Sequence, residues 1–89
     1  MNKDWYFYIV RCSDNSLYSG ITNDIQSRVK AHNSGKGAKY TAFKRPVKLV
    51  YSEKHKNISD AKKREEQVKG WSKEKKEEFI MGFPRQSSG

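Results

Sequence analysis

The stretch WYFYIVRCSDNSLYSGIT, residues 5–22, contains two apolar segments on either side of a polar turn. Residues 5–11 (WYFYIVR) are aromatic and β-branched, which predicts a strand covered on both faces and central in its sheet. Residues 13–16 (SDNS) are a turn cluster and residues 17–22 (LYSGIT) predict a second strand, so the two strands form a hairpin. Gly20 weakens the second strand, which indicates that another group approaches its backbone closely.

A helix is predicted directly after the hairpin. Asn23 or Asp24 can cap this helix, which ends near Asn33. Its inward stripe at helical spacing consists of Ile25, Val29 and His32. The next residues, 35–44 (GKGAKYTAFK), have no clear period and predict a long basic loop.

The second half of the chain predicts one more strand and two helices. Pro46 precedes a strand over residues 47–52 (VKLVYS). Ser59 is a candidate cap for a helix that ends near Gly70, and Ser72 starts a last, charged helix. This order of elements predicts an α/β (α+β) domain with a small three-stranded sheet flanked by helices.

Length and composition predict one domain with a basic surface. The 89 residues are 34% hydrophobic, enough for one modest core, which we place in residues 1–82, with residues 83–89 as a flexible C-terminal tail. The 19 Lys and Arg against 10 Asp and Glu give a net charge of +9, which favours a polyanionic partner. Charge alone does not separate nucleic acid from an anionic membrane.

The lack of a membrane span or signal peptide, together with the single cysteine, predicts a cytoplasmic protein. No apolar run is long enough to span a bilayer, and residues 1–5 lack the apolar segment of a signal peptide. The single cysteine, Cys12, cannot form an internal disulfide, and its apolar neighbours predict a core position.

Glu65 is the least expected residue in the predicted helices. It falls in the apolar stripe of the helix that ends near Gly70, and the other members of this stripe are Ile58, Ala61 and Val68. A carboxylate facing the core is costly unless it is paired or binds a metal. A salt bridge to Arg28 or a lysine, or a stripe rotated toward water, is the alternative to a metal site.

Four further side chains are candidates for a site, each with a structural alternative. Arg28 and His32 lie one helical turn apart and can face a common target, or they can be an exposed arginine beside a core histidine. Tyr8 and Tyr18 can be core residues with satisfied hydroxyls. They share one face of the hairpin only with a three-residue loop or a bulge, because a two-residue Asp14-Asn15 turn puts them on opposite faces.

The ordered motifs resemble the GIY-YIG nuclease family. Residues 6–8 (YFY) and 18–20 (YSG) are similar to its two name-giving motifs, and Arg28, His32 and Glu65 follow in the family's order. The family includes homing endonucleases and subunits that cut DNA in repair and at recombination junctions. The loop and the chain length resemble its short stand-alone bacterial members. The first motif lacks its glycine and the second has a serine in place of isoleucine.

The resemblance implies a metal-dependent DNA endonuclease with a mainly antiparallel sheet. Its implied catalytic residues are Tyr8, Tyr18, Arg28, His32 and Glu65. Glu65 would hold one divalent ion, Mg²⁺ or Mn²⁺, and Arg28 would grip a phosphate oxygen. The family assigns the base that activates water to Tyr18, but the lower pKa of free histidine makes His32 a chemical rival.

The basic loop is the predicted nucleic-acid contact. Its candidate residues are Lys36, Lys39, Tyr40, Lys44 and Arg45, with Tyr40 able to stack on an exposed base. We expect a monomer that recognises DNA structure, such as a branch or nick, more than sequence. A catalytically inactive nucleic-acid-binding module, which could bind RNA, and a purely structural domain are the alternatives.

Overall fold

The computed structural model describes residues 4–88, with side chains described through Gly82. Its elements, in chain order, are β1 (Trp5–Arg11), β2 (Leu17–Thr22), α1 (Ile25–Asn33), α2 (Lys39–Ala42), β3 (Lys48–His55), α3 (Ile58–Lys69) and α4 (Lys73–Ser88). In the sheet, β1 lies between β2 and β3 and is antiparallel to both. The predicted α+β class, with a three-stranded antiparallel sheet flanked by helices, is confirmed.

A three-residue loop closes the β1–β2 hairpin. The Cys12 backbone N–H donates to the Ser16 carbonyl (2.8 Å), and the Asn15 N–H donates to the Cys12 carbonyl (2.9 Å). Asn15 has a φ of 73°, the left-handed conformation that ends this type of loop. In the resulting register Tyr8 lies opposite Gly20, and Tyr18 lies opposite Val10. Tyr8 and Tyr18 therefore share one face of the sheet.

Both faces of the sheet carry a core. Phe7 and Ile9 of β1 pack with Val68 of α3 and Ile80 of α4 on one face. On the other face, Tyr8, Val10, Cys12 and Val47 pack against residues of β2 and α1, including Tyr18, Ile25 and Val29. The predicted central, doubly covered strand and the predicted core position of Cys12, which is 4% exposed, are confirmed.

The third strand and the basic loop differ from their predictions. β3 begins at Lys48 and extends to His55, beyond the predicted residues 47–52, because it pairs along the whole of β1, from Arg11↔Lys48 to Trp5↔His55. The predicted loop 35–44 contains the short helix α2. Long-range hydrogen bonds hold this segment, and local sequence patterns do not report them.

The last two helices also differ from their predictions. Asn57, and not Ser59, caps α3, because its side-chain oxygen accepts from the Asp60 N–H at 2.9 Å while Ser59 lies within the helix. α4 continues to Ser88, so residues 83–88 are helical where the sequence predicts a loose tail. The domain boundary at residue 82 stays a prediction.

An ion pair joins α4 to the end of β1. The Arg11 guanidinium donates from Nη1 and Nη2 to the two oxygens of Glu77, both at 2.7 Å, and Lys73 lies 2.8 Å from Glu77 Oε2. The hydrogen bonds from Arg11 and then Lys73 lower the pKa of Glu77 from 4.5 to about 2. The folded protein therefore holds this proton less tightly than the unfolded chain does.

We expect Glu77→Gln to lower the free energy of unfolding by about 1 kcal/mol near neutral pH, because two charge-assisted hydrogen bonds are weakened. The stabilisation by Glu77 is complete above its unfolded pKa and disappears as the pH falls to about 2. Urea denaturation across this pH range should show the two proteins converging in acid. Glu78→Gln, on the exposed side of α4, is the matched control, and an equal loss for both variants would contradict the assignment.

Candidate active site

A hydrogen-bonded chain joins four side chains of β1, α1 and α2. The Tyr8 hydroxyl lies 2.9 Å from His32 Nε2, and Arg28 Nε donates to the same hydroxyl at 3.4 Å. His32 Nδ1 lies 2.8 Å from Thr41 Oγ1, and the Thr41 hydroxyl donates to the Ala38 carbonyl at 3.1 Å. Tyr8, Arg28 and His32, predicted from sequence, are thus brought together, and Thr41 is an addition.

The direction of these hydrogen bonds assigns the state of His32. Because Thr41 gives its proton to Ala38, its oxygen accepts from His32, which places the imidazole proton on Nδ1. Nε2 then accepts from the Tyr8 hydroxyl. Burial, with the charge of Arg28, lowers the pKa of His32, and burial raises the pKa of Tyr8. At neutral pH, the His32 imidazole and the Tyr8 phenol are therefore both uncharged.

Two glycines leave room for the hydrogen-bonded side chains of Tyr8 and His32. A Cβ on Gly20 would lie 2.6 Å from the Tyr8 hydroxyl oxygen, so Tyr8 is the close approach predicted for this position. A Cβ on Gly37 would lie 2.7 Å from both Cα and Cγ of His32. Side chains at either position would displace the hydrogen-bonded groups.

Arg28 is oriented by polar contacts and carries an unpaired charge. Besides its contact with Tyr8, it donates from Nη2 to the Gly37 carbonyl at 3.1 Å. No carboxylate among the described side chains forms an ion pair with it. Of the predicted alternative for Glu65, a salt bridge to Arg28 or a lysine, the structure shows the bridge to a lysine, Lys69. The remaining N–H groups of this half-buried guanidinium can bind an anion.

Tyr18 lies against the same histidine from β2. Its ring packs edge-on to the His32 ring at a centroid distance of 5.4 Å and stacks on the Tyr40 ring at 5.7 Å. Within residues 4–82, no side chain or backbone group hydrogen-bonds the Tyr18 hydroxyl. This hydroxyl can therefore meet a water molecule, whereas the nitrogens of fully buried His32 are both engaged.

Glu65 lies on α3 with its side chain 21% exposed, and its carboxylate is 3.4 Å from Lys69 Nζ. Ala61 and Val68 of the same stripe are fully buried, whereas Ile58 is 39% exposed, so the stripe is partly rotated toward water. Burial is the main cause of the raised pKa of Tyr8, and the negative charge of Glu65 adds to this increase. Glu65 and the Tyr8 hydroxyl are therefore electrostatic neighbours.

The donor set fits a hard cation held through one carboxylate. The part of the chain with described side chains contains no group of three or more His, Cys, Asp and Glu that could enclose a metal. A partly exposed single carboxylate suits an ion such as Mg²⁺, which keeps several waters and binds substrate phosphate. Glu65 is the side chain that would hold it.

The predicted nucleic-acid contacts differ in exposure and in the groups that they already contact. Lys36, Lys39 and Arg45 are exposed. Lys44 is 3.1 Å from Asp14 and its ammonium lies 4.1 Å from the centre of the Tyr40 ring. Tyr40, which is 43% exposed, thus already contacts Tyr18 and Lys44.

Thr41 and Gly37 were missed by sequence reasoning. Gly37 carried a weak signal, since a glycine in a loop can mark a close contact. Thr41 carried none, because its role depends on a histidine nine residues earlier and on the turn of α2. Both are identified only by the folded structure.

We expect Gly37→Ala to weaken both the fold and the site, because the added methyl group would overlap backbone and ring atoms of His32. Overpacking of this kind costs about 1–3 kcal/mol, and displaced site residues lower a reaction rate by about 10²-fold. Urea denaturation measures the first effect, and DNA nicking, the activity that the resemblance to GIY-YIG nucleases implies, measures the second.

Gly82→Ala is the matched control for Gly37→Ala, since a Cβ at Gly82 meets no atom within 4 Å. It should leave nicking unchanged and, within a helix, stability equal or slightly higher. Wild-type stability and nicking in Gly37→Ala would show that the contact with His32 can relax and that the prediction is wrong.

Among the described residues, no helix is long and apolar enough to cross a membrane.

Residues 4–78 match the model of the GIY-YIG catalytic domain. The UPF0213 protein of Bacillus pumilus is 49% identical over 75 residues, which are 84% of this chain and 76% of that protein. A UPF0213 protein of Staphylococcus haemolyticus is 49% identical over 75 residues, which are 92% of its length.

Two solution NMR structures have a similar fold. A UPF0213 protein from Bacillus halodurans aligns with a TM-score of 0.58 and 41% identity, covering 88% of this chain and 83% of that chain. A protein from E. faecalis aligns with a TM-score of 0.61 and 38% identity, covering 93% of this chain and 91% of that chain.

Proposed function

Because the chain belongs to the GIY-YIG family, a nuclease family that acts on DNA, we propose that it is a metal-dependent endonuclease that hydrolyses phosphodiester bonds in DNA. The observation that best supports this proposal is the unpaired Arg28 guanidinium, fixed beside the Tyr8–His32 pair and near the free Tyr18 hydroxyl. An anion-binding group and a water-binding group next to a carboxylate are what phosphodiester hydrolysis requires.

Arg28 binds a non-bridging oxygen of the scissile phosphate. Its Nε and Nη2 are held by Tyr8 and Gly37, which points the remaining donors of the planar fork at the substrate without reorganisation. Tyr8 and His32 act as positioning residues for this fork. Thr41 fixes the imidazole in the tautomer that accepts from Tyr8.

Tyr18 contacts the attacking water and, in its phenolate form, accepts the proton that this water loses. We prefer it to His32 because the Tyr18 hydroxyl is free among the described residues, whereas His32 reaches the site only through Tyr8. A free phenol ionises near pH 10, so this role requires the deprotonated form of the side chain. Bound at Glu65, Mg²⁺ or Mn²⁺ would supply Lewis-acid stabilisation of charge on the phosphate and leaving oxygens.

The exposed basic loop supports a preference for DNA structure over a long sequence. Lys36, Lys39 and Arg45 can contact phosphates, which position DNA but carry no sequence information. The described fold offers one small domain and no separate element for reading a long site. Branched or nicked DNA is therefore the proposed substrate.

A panel of DNA substrates tests the proposed function. Supercoiled, branched, nicked and plain duplex DNA are incubated with the protein in Mg²⁺ or Mn²⁺, and binding is measured in parallel with the metal chelated. We expect cleavage only with metal, and faster cleavage of branched or nicked DNA than of plain duplex. Salt-sensitive binding without cleavage of any substrate would instead support an inactive binding module.

A further inference from the structure

Phe43 is the most exposed large apolar side chain among those described. It directly follows α2, and it is 96% exposed. It borders an open pocket of about 520 Å³, whose other lining residues are Asn33, Ala42, Arg45 and Pro46. An aromatic ring in water is unfavourable, and this one makes no ring contact with a described side chain.

Arg45, on the wall of this pocket, is held in place by backbone groups. Its Nε donates to the Ala42 carbonyl at 2.9 Å and its Nη1 to the Asn33 carbonyl at 3.4 Å. A Cβ on Gly35 would lie 3.2 Å from the same Nη1, so the glycine leaves room for the guanidinium. Arg45 forms no ion pair with a described carboxylate, which leaves its charge available.

Hydrogen bonds tie the pocket to α1, the helix that carries His32. The Asn33 side chain accepts from the Val47 N–H at 2.6 Å and donates to the Val47 carbonyl at 3.2 Å, which ties the end of α1 to the residue after Pro46. Asn33 directly follows His32, and Phe43 is two residues from Thr41, the hydrogen-bond partner of His32. The pocket is therefore lined by residues that adjoin His32 and Thr41 in the chain.

Charge and shape together favour a nucleotide as the occupant. Residues 33–48 contain five Lys or Arg and no Asp or Glu, so the surroundings of Phe43 attract phosphate. A free aromatic ring can stack on the face of a nucleobase, and a fixed guanidinium can bind the adjoining phosphate. Bases within a duplex are stacked on both faces, so only an unpaired base offers this contact.

We propose that Phe43 stacks on an unpaired base of the DNA substrate while Arg45 binds the adjoining phosphate, so that the protein prefers DNA with an unpaired nucleotide, such as a bulge or flap. This role replaces the base stacking predicted for Tyr40, whose ring is already engaged by Tyr18 and Lys44. The inference rests on the proposed function for its DNA substrate, but its test requires no cleavage.

The test measures binding in EDTA to DNA that carries 2-aminopurine, a fluorescent base, either in a single-nucleotide bulge or paired in a duplex. We expect wild type to bind the bulged DNA more tightly and to change its fluorescence by stacking. Phe43→Ala should remove the fluorescence change and weaken bulge binding by about tenfold, to the level of duplex. Phe43→Trp should keep both properties.

Met81→Ala, which removes a 63% exposed side chain from α4, is the control and should behave as wild type. Phe43 lies outside the core, so its replacement should leave the fold intact, which circular dichroism checks. Unchanged bulge preference or an unchanged fluorescence response in Phe43→Ala would overturn the inference. If the wild-type protein prefers bulged DNA but never cuts DNA, the proposed nuclease function fails and this inference stands. If it cuts DNA but does not prefer bulged DNA, the nuclease function stands and this inference fails.

Discussion

Replacing Glu65 with alanine is expected to reduce metal-dependent nicking by about 10³-fold or more, because it removes the one carboxylate proposed to hold the ion. A bound ion is worth several kcal/mol of transition-state stabilisation in reactions of this kind. DNA binding should survive, since the phosphate contacts come from Arg28 and the exposed lysines. Initial nicking rates on supercoiled DNA, beside binding curves with the metal chelated, measure both quantities.

The fold should tolerate this change. Among the described side chains, Glu65 forms an ion pair with Lys69 alone, an i,i+4 contact at 3.4 Å to a lysine that is 60% exposed, and such a pair contributes little stability. Glu66→Ala is the matched control, as it removes the same charge from the exposed neighbouring position. Wild-type nicking is expected for that variant. Equal rates in the Glu65 and Glu66 variants would exclude Glu65 as the metal ligand.

Replacing Arg28 with alanine is expected to lower the nicking rate by about 10²–10³-fold, the loss typical of removing one preorganised donor to a charged transition state. Arg28→Lys should recover about a tenth of the wild-type rate or less. The planar guanidinium of Arg28 contacts Tyr8 and Gly37 and keeps further donors for a phosphate. A lysine ammonium has no such fork and cannot make all of these contacts. Single-turnover rates at saturating protein separate this effect from weaker binding.

Lys30→Ala is the control for Arg28, since Lys30 lies on the same helix and is exposed. It should change nicking only through a small, salt-dependent loss of binding. Full activity in Arg28→Lys would show that charge alone is sufficient and that the fork geometry has no part in the reaction.

The hairpin could be predicted because its information is local. An apolar run and a four-residue turn cluster lie next to each other in sequence, and the residues that pair are close along the chain. The shared face of Tyr8 and Tyr18 was a condition set by the site hypothesis. The loop that ends at Asn15 in a left-handed conformation meets that condition.

Features that depend on distant contacts could not be predicted. The turn of α2 has no periodic pattern, and it is held by the Thr41–His32 hydrogen bond and by the backbone bond from Ser13 to the Lys44 carbonyl at 2.9 Å. The same contacts bring Lys44 to Asp14, so one predicted phosphate ligand is already paired. Sequence reasoning treats such a segment as a solvated loop because its partners lie elsewhere in the chain.

In the candidate site, too, local features could be predicted and contacts between distant residues could not. Helical spacing was enough to place Arg28 and His32 on one face of α1, and the buried stripe of α3 singled out Glu65. Which groups they contact depends on how the helices pack on the sheet. Thr41 as the partner of His32, and the absence of an ion pair between Arg28 and Glu65, emerge only there.

The most direct measurement is the initial rate at which the purified protein nicks supercoiled DNA in Mg²⁺ or Mn²⁺, run beside the same reaction with a chelator. We predict nicking with metal and none with the chelator, while DNA binding is retained in both. Retained, salt-sensitive binding with no nicking in either ion would contradict the assignment as an endonuclease.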